Sequence, residues 1–127
     1  MVVEHPSNQT ILGNYYKKVY EIASLTKIMT FYTILQIADK YDLNLSESIL
    51  EIDKQSESMT GTSAEITIGD LYTVEQLLYG LMLPSGNDAA MALAKWGGRI
   101  LHEHSEGIKT NEIDSSKEEE LWKMFVR

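Results

Sequence analysis

Ile22-Ala23-Ser24-Leu25-Thr26-Lys27-Ile28-Met29-Thr30-Phe31-Tyr32-Thr33-Ile34-Leu35-Gln36-Ile37-Ala38 is the stretch around which the rest of the 127-residue chain can be arranged. Residues 25–38 are apolar almost all the way round a helix, and such a helix is normally buried on every side. The exception is Lys27, a residue type almost never fully buried without a partner. Ser24 precedes it by three residues, so one helical turn sets the two side chains on a common face. Ser24 also stands where a helix cap is expected, beside free N–H groups and a dipole that favour developing negative charge. A serine hydroxyl needs a neighbour to take its proton before it attacks. A lysine can do so when neutral, and burial among apolar neighbours favours its neutral form. A plainer reading is also open: Ser24 as an N-cap, and Lys27 snorkelling to the surface. With 11 Ser and 9 Lys in the chain, about 0.8 Ser-x-x-Lys matches arise by chance, so this pair alone decides nothing.

Composition narrows the classes. The length suits one domain or a piece of one. A hydrophobic content of 43% excludes wholesale disorder. A formal net charge of −8 argues against nucleic acid and against a polybasic membrane contact as partners. No apolar run reaches the length of a membrane span, and no signal peptide is visible at residues 1–5. Without Cys there are no disulfides or thiolate metal sites.

Outward from the central helix, a hairpin is expected before it: a strand over residues 1–5, a turn at Pro6-Ser7-Asn8 and a strand over 10–16. After it, Ile49-Leu50-Glu51-Ile52 reads as a short strand, residues 55–63 as a surface loop, and Glu65-Ile66-Thr67-Ile68 as an alternating β-branched strand. Thr73-Val74-Glu75-Gln76 is a capping box opening a helix with Val74, Leu77, Leu78, Leu81 and Met82 on one side. Pro84 stops that helix and biases Leu83 towards an extended conformation. A third helix is expected over 88–96, capped by Gly97-Gly98. Residues 102–120 read as a polar, acidic linker or loop, and Leu121-Trp122-Lys123-Met124-Phe125-Val126 as the start of another helix.

Ser85-Gly86-Asn87 is the second motif. Its chance expectation in this composition is about 0.03, far below that of the first. It lies on a forced break between two helices, where side chains can point into a cleft. A second hydroxyl there could relay a proton to a leaving amine, and an Asn could hold a lysine amine or a substrate amide. Small polar residues also suit a plain helix-to-helix turn, with Ser85 or Asn87 as a cap.

Together the motifs resemble a known family. Ala23-Ser24-Leu25-Thr26-Lys27-Ile28-Met29-Thr30 is similar to the active-site segment of the serine-type D-alanyl-D-alanine carboxypeptidases, low-molecular-mass penicillin-binding proteins of the serine beta-lactamase-like superfamily. Leu83-Pro84-Ser85-Gly86-Asn87-Asp88-Ala89-Ala90 resembles the family's Ser-Gly-Asn motif, and the resemblance runs over roughly residues 10 to 100. It implies an α+β fold of the beta-lactamase/transpeptidase-like type, an antiparallel sheet flanked by helices with the nucleophile helix buried between them. It implies that Ser24 forms the acyl-enzyme, Lys27 is its general base, Ser85 passes the proton to the leaving D-alanine, and Asn87 binds Lys27 or the substrate amide. Peptidoglycan stem peptides or beta-lactams would be the ligands, without metal or cofactor, and the compartment would be extracytoplasmic. His102-Glu103-His104 offers no third convincing ligand, so no metal site is expected there.

One departure stands out. The family's third motif is Lys-Thr-Gly on a late strand, whereas Lys109-Thr110 is followed by Asn111 and falls too early, in the polar linker. Residues 1–127 are therefore expected to be the N-terminal part of a penicillin-binding, transpeptidase-like catalytic domain. The C-terminal sheet strands, and with them activity of the chain alone, would then be missing. Two alternatives share the fold: a beta-lactamase using the same pair, and a non-catalytic relic or interaction module.

Overall fold

In the computed structural model, which describes residues 2–4, 6–7, 9–13 and 17–106, the central helix α1 spans Thr26–Lys40. A short 3-10 turn, Ala23–Leu25, leads into it. Its C-terminus is set by Asp42, whose φ of 52° is the left-handed conformation that ends many helices. There the Leu43 N–H donates to Ala38 O at 2.9 Å, which satisfies a carbonyl the helix leaves open.

Two small antiparallel sheets accompany the helices. β1 (Val2–Val3) pairs with β2 (Thr10–Leu12), matching the expected hairpin with a shorter second strand. β3 (Ile49–Glu51) pairs with β4 (Leu71–Thr73), with Leu50 opposite Tyr72. Between them lies a single helical turn, α2 (Lys54–Glu57), at the start of the expected loop. The Asp53 side chain caps it by accepting from Ser56 N–H. The strand expected at 65–68 does not form. Glu65 has a φ of 59°, which breaks an extended run. The N–H groups there go to side chains instead: Ile66 to Asp88, Thr67 to Asp70, and Ile68 to Glu57. β4 begins three residues later.

α3 (Val74–Met82) opens on the expected capping box. Thr73 Oγ1 accepts from Gln76 N–H at 3.1 Å, and Gln76 Oε1 accepts from Thr73 N–H at 2.9 Å. Val74, Leu77, Leu78 and Leu81 are buried, while Met82 is 42% exposed at the rim. Leu83 ends the helix in helical rather than extended conformation, with its N–H still bonded to Tyr79 O, and the break comes one residue later than Pro84 suggested. α4 (Asn87–Glu106) runs straight through Gly97-Gly98 and takes in the first residues of the expected linker. Both glycines are buried. Beyond them Ile100 and Leu101 pack onto the core and His104 stacks on Tyr41, so tertiary packing overrides the glycines' preference for a stop. Residues 107–127, including Lys109-Thr110-Asn111 and the segment at 121–126, lie outside the described residues.

α1, α3 and α4 pack on one another around Ile34, Ile37, Val74, Leu77, Leu81 and Leu93, with Ile52 and Ile66 closing the core from the loops. α1 is apolar on nearly every face, yet with few strands expected in the chain only the helices over 73–82 and 88–96 are expected to shield it, on one side. Ile34, Ile37 and Ala38 are buried, but Ile28, Met29 and Tyr32 are more than half exposed, as is Leu25 just before the helix. α3 and α4 shield one flank of α1, and the opposite flank faces solvent. No helix among the described residues is long and apolar enough to cross a membrane.

Candidate active site

Ser24 sits in the middle of the 3-10 turn, one residue after Ala23. Ala23 has a φ of 46°, a left-handed conformation that costs an alanine about 1–2 kcal/mol. Such outliers persist only where the surroundings impose them. Here the Ala23 carbonyl accepts from the Thr26 hydroxyl at 2.8 Å and from Thr26 N–H, which fixes the turn. The helix cap position belongs to Leu25, and no side chain caps it. Ser24 is thus not an N-cap. Its side chain is exposed, and among the described residues its hydroxyl takes part in no hydrogen bond.

Lys27 lies on the first turn of α1, half-buried. It does not snorkel outward. Its Nζ donates to Asn87 Oδ1 at 2.7 Å and lies 3.2 Å from Ser85 Oγ. The two motifs, some 60 residues apart in sequence, meet at this amine.

The second motif owes its position to three elements. Pro84 follows the end of α3, and Ser85 then turns the chain with a φ of 59°. The Gly86 N–H donates back to Gly80 O at 3.0 Å, which ties the turn to α3. Asn87 is the first residue of α4, but its side chain does no capping. Its Oδ1 faces Lys27, and its Nδ2 donates to Thr60 O at 2.7 Å. The backbone of residues 60–66 runs alongside as a strap: Asn87 N–H donates to Thr62 O at 2.7 Å, and the Thr62 hydroxyl bonds Ser85 O.

Behind the strap lies Asp88, buried and charged. Burial opposes its ionisation, but hydrogen bonds from Ala64 N–H, the Ser63 hydroxyl, Ala89 N–H and Ile66 N–H outweigh that and hold its carboxyl below the usual carboxylate range. Asp53 shows the same balance, with Lys95 of α4 and Ser56 prevailing over burial. Tyr72 moves the other way, raised by burial and by the neighbouring Asp70 carboxylate.

Of the four residues singled out in the sequence, Lys27, Ser85 and Asn87 are brought into hydrogen-bonding contact, and Ser24 stands on the turn leading to Lys27 without bonding any of them. The arrangement offers an exposed hydroxyl, an amine held by two polar partners and a second hydroxyl beside that amine. The strap at 60–66 was not legible. Its polar, Gly-containing run looked like any surface loop, and only Gly61 gave a signal. With φ at 98°, a Cβ there would stand 2.6 Å from Asn87 Nδ2.

Comparison with known proteins gives a consistent result. The D-alanyl-D-alanine carboxypeptidase peptidase family matches residues 1–99. A D-alanyl-D-alanine carboxypeptidase of Streptomyces sp. (strain K15) is 45% identical over 78 residues, covering 58% of this chain and 26% of that protein. The D-alanyl-D-alanine carboxypeptidase DacF of Bacillus subtilis is 35% identical over 74 residues, covering 58% of this chain and 19% of its own length. Among solved structures, the Streptomyces K15 DD-transpeptidase superposes with a TM-score of 0.59 at 34% identity, over 81% of this chain and 34% of that one. The chain thus spans between a fifth and a third of the length of these relatives.

Proposed function

Since the chain belongs to the D-alanyl-D-alanine carboxypeptidase family, we propose that it carries the nucleophile half of a serine acyl-transfer site acting on peptides that end in D-alanyl-D-alanine. The observation that carries this reading is the Lys27 amine, held by Asn87 and Ser85 and three residues along the chain from Ser24. Ser24 Oγ attacks the carbonyl carbon of the terminal peptide bond, and its proton passes to Lys27 as general base. Ser85, 3.2 Å from that amine, carries a proton on to the departing D-alanine nitrogen as the carbon–nitrogen bond breaks. Water then attacks the ester on Ser24, releasing the shortened peptide and restoring the hydroxyl. Asn87 keeps the amine in place and is available to the substrate amide. A beta-lactam, whose strained amide presents the same carbonyl, would stop at the ester. Stem peptides of peptidoglycan are the substrate class, which locates the activity outside the cytoplasm.

The test is release of D-alanine from a peptide ending in D-alanyl-D-alanine by the full-length protein. Turnover should be present in the wild type and absent in Ser24→Ala. Turnover retained by Ser24→Ala would refute the proposal.

A further inference from the structure

Asp88 follows the second motif directly, yet none of its hydrogen bonds goes to Lys27, Ser85 or Asn87. It is 1% exposed, and a buried carboxylate must have its lone pairs filled. Ala64 N–H lies 2.9 Å from Oδ1 and 3.0 Å from Oδ2. The Ser63 hydroxyl donates to Oδ2 at 2.7 Å, Ala89 N–H to Oδ1 at 2.8 Å, and Ile66 N–H lies 3.4 Å from Oδ2. Three of these four donors belong to residues 63–66, a stretch with no strand partner to hold it.

The other end of that stretch grips the motif. Thr60 O accepts from Asn87 Nδ2, Thr62 O accepts from Asn87 N–H, and the Thr62 hydroxyl bonds Ser85 O. An Asn side chain presents one acceptor and one donor group on opposite sides. With Nδ2 engaged by Thr60 O, Oδ1 can only face Lys27. A half-turn of the amide would set two donors against each other and two acceptors against each other. The motif's glycine records the same pressure. A Cβ on Gly86 would stand 2.6 Å from Asp88 Oδ1 and 2.9 Å from Ala64 N, at the clamp itself.

We propose that Asp88 is a positioning residue for acyl transfer: by clamping residues 63–66 it holds the strap whose Thr60 and Thr62 carbonyls orient Asn87 and whose Thr62 hydroxyl steadies Ser85. The proposal rests on the assignment of Ser24 and Lys27 above. Asp88→Asn keeps the shape but puts an amide N–H₂ where N–H and O–H donors converge, so the clamp opens. Thr62→Val cuts the exposed end of the strap and leaves the core alone.

The experiment compares wild type, Asp88→Asn and Thr62→Val as full-length proteins. Rapid mixing with a fluorescent penicillin separates the binding constant from the first-order acylation constant, and NMR follows the Asn87 side-chain amide. Binding should change by less than about twofold, while acylation falls about 10- to 100-fold in Asp88→Asn and severalfold in Thr62→Val, as expected when reacting groups lose alignment. The Asn87 amide resonances should shift in both variants. Wild-type acylation by Thr62→Val or by folded Asp88→Asn overturns the proposal. So does parallel loss of binding and acylation that only tracks a lower melting temperature. The amide resonances decide separately from chemistry: an unshifted Asn87 amide in both variants contradicts the strap, whereas a wild type that takes no label on Ser24 contradicts the assignment of the nucleophile instead.

Discussion

Lys27 is the residue at which the sequence and the structure agree most closely and for a simple reason. Three-residue spacing on a helix and an uncommon tripeptide are short-range signals, so Ser24, Lys27, Ser85 and Asn87 could all be picked out before any coordinates. That Asn87 takes the amine, and not a substrate amide alone, needed the 2.7 Å contact to decide. Lys27→Arg puts a guanidinium near Asn87 that cannot serve as a base. Penicillin acylation by the full-length variant should therefore fall by about 10²–10⁴, the usual worth of a positioned base, with the circular dichroism spectrum retained. Acylation within a few-fold of wild type would remove lysine from that role. Asp88 and Asp53 make a different prediction. Both carboxyls titrate below the ordinary value of 3.8 when folded, because their hydrogen bonds favour the ionised form. The unfolded chain then binds their protons first, so their contribution is present above that value and is lost as pH falls through the folded values. Stability measured by denaturant should drop steeply below pH ~4, and Asp88→Asn should be less stable at pH 7 but lose less on acidification. An acid profile unchanged in Asp88→Asn would contradict this.

At the scale of the element, what could be read was local and what could not was tertiary. The Thr73 capping box is a four-residue pattern, and α3 begins where it says. Thr73→Ala removes the bond to Gln76 N–H and should cost about 1 kcal/mol, seen as a lower thermal midpoint. The strand expected at 65–68 has the right composition, yet its N–H groups are drawn off by Asp88, Asp70 and Glu57, partners 3 to 22 residues away that no window of β-branched residues reveals. The stop expected at Gly97-Gly98 fails for a related reason. Trp96, Ile100 and Leu101 bring both sides of the glycine pair onto the core, and α4 continues for two more turns. Gly86, like Gly61, leaves no room for a side chain. Gly86→Ala must displace the Asp88–Ala64 contact and should destabilise by about 1–3 kcal/mol in a denaturant titration. A neutral Gly86→Ala would mean that the strap does not press on α4 as described.

For the whole molecule, the architecture followed from the family resemblance that the two motifs carry, and the partial cover of α1 from an all-round apolar helix in a chain with few strands to lay against it. Leu25, Ile28, Met29 and Tyr32 remain more than half exposed. Fully covering a large apolar side chain is worth about 1.5–3 kcal/mol, so leaving four of them open forgoes several kcal/mol against a typical domain stability of about 5–15 kcal/mol. The 127-residue chain should bind an apolar dye, and Met29→Lys should weaken that fluorescence; a chain that leaves the dye dark would show that this flank is not open in solution. The flank begins one residue after Ser24, so the uncovered face and the exposed Ser24 side chain belong to the same end of α1. In the proposed reaction the Ser24 hydroxyl accepts the acyl group. Peptide mass mapping of the full-length protein after incubation with penicillin tests it most directly. A single adduct is expected on the peptide that contains Ser24, absent from Ser24→Ala. An adduct mapped to Ser85, or one that survives Ser24→Ala, would contradict it.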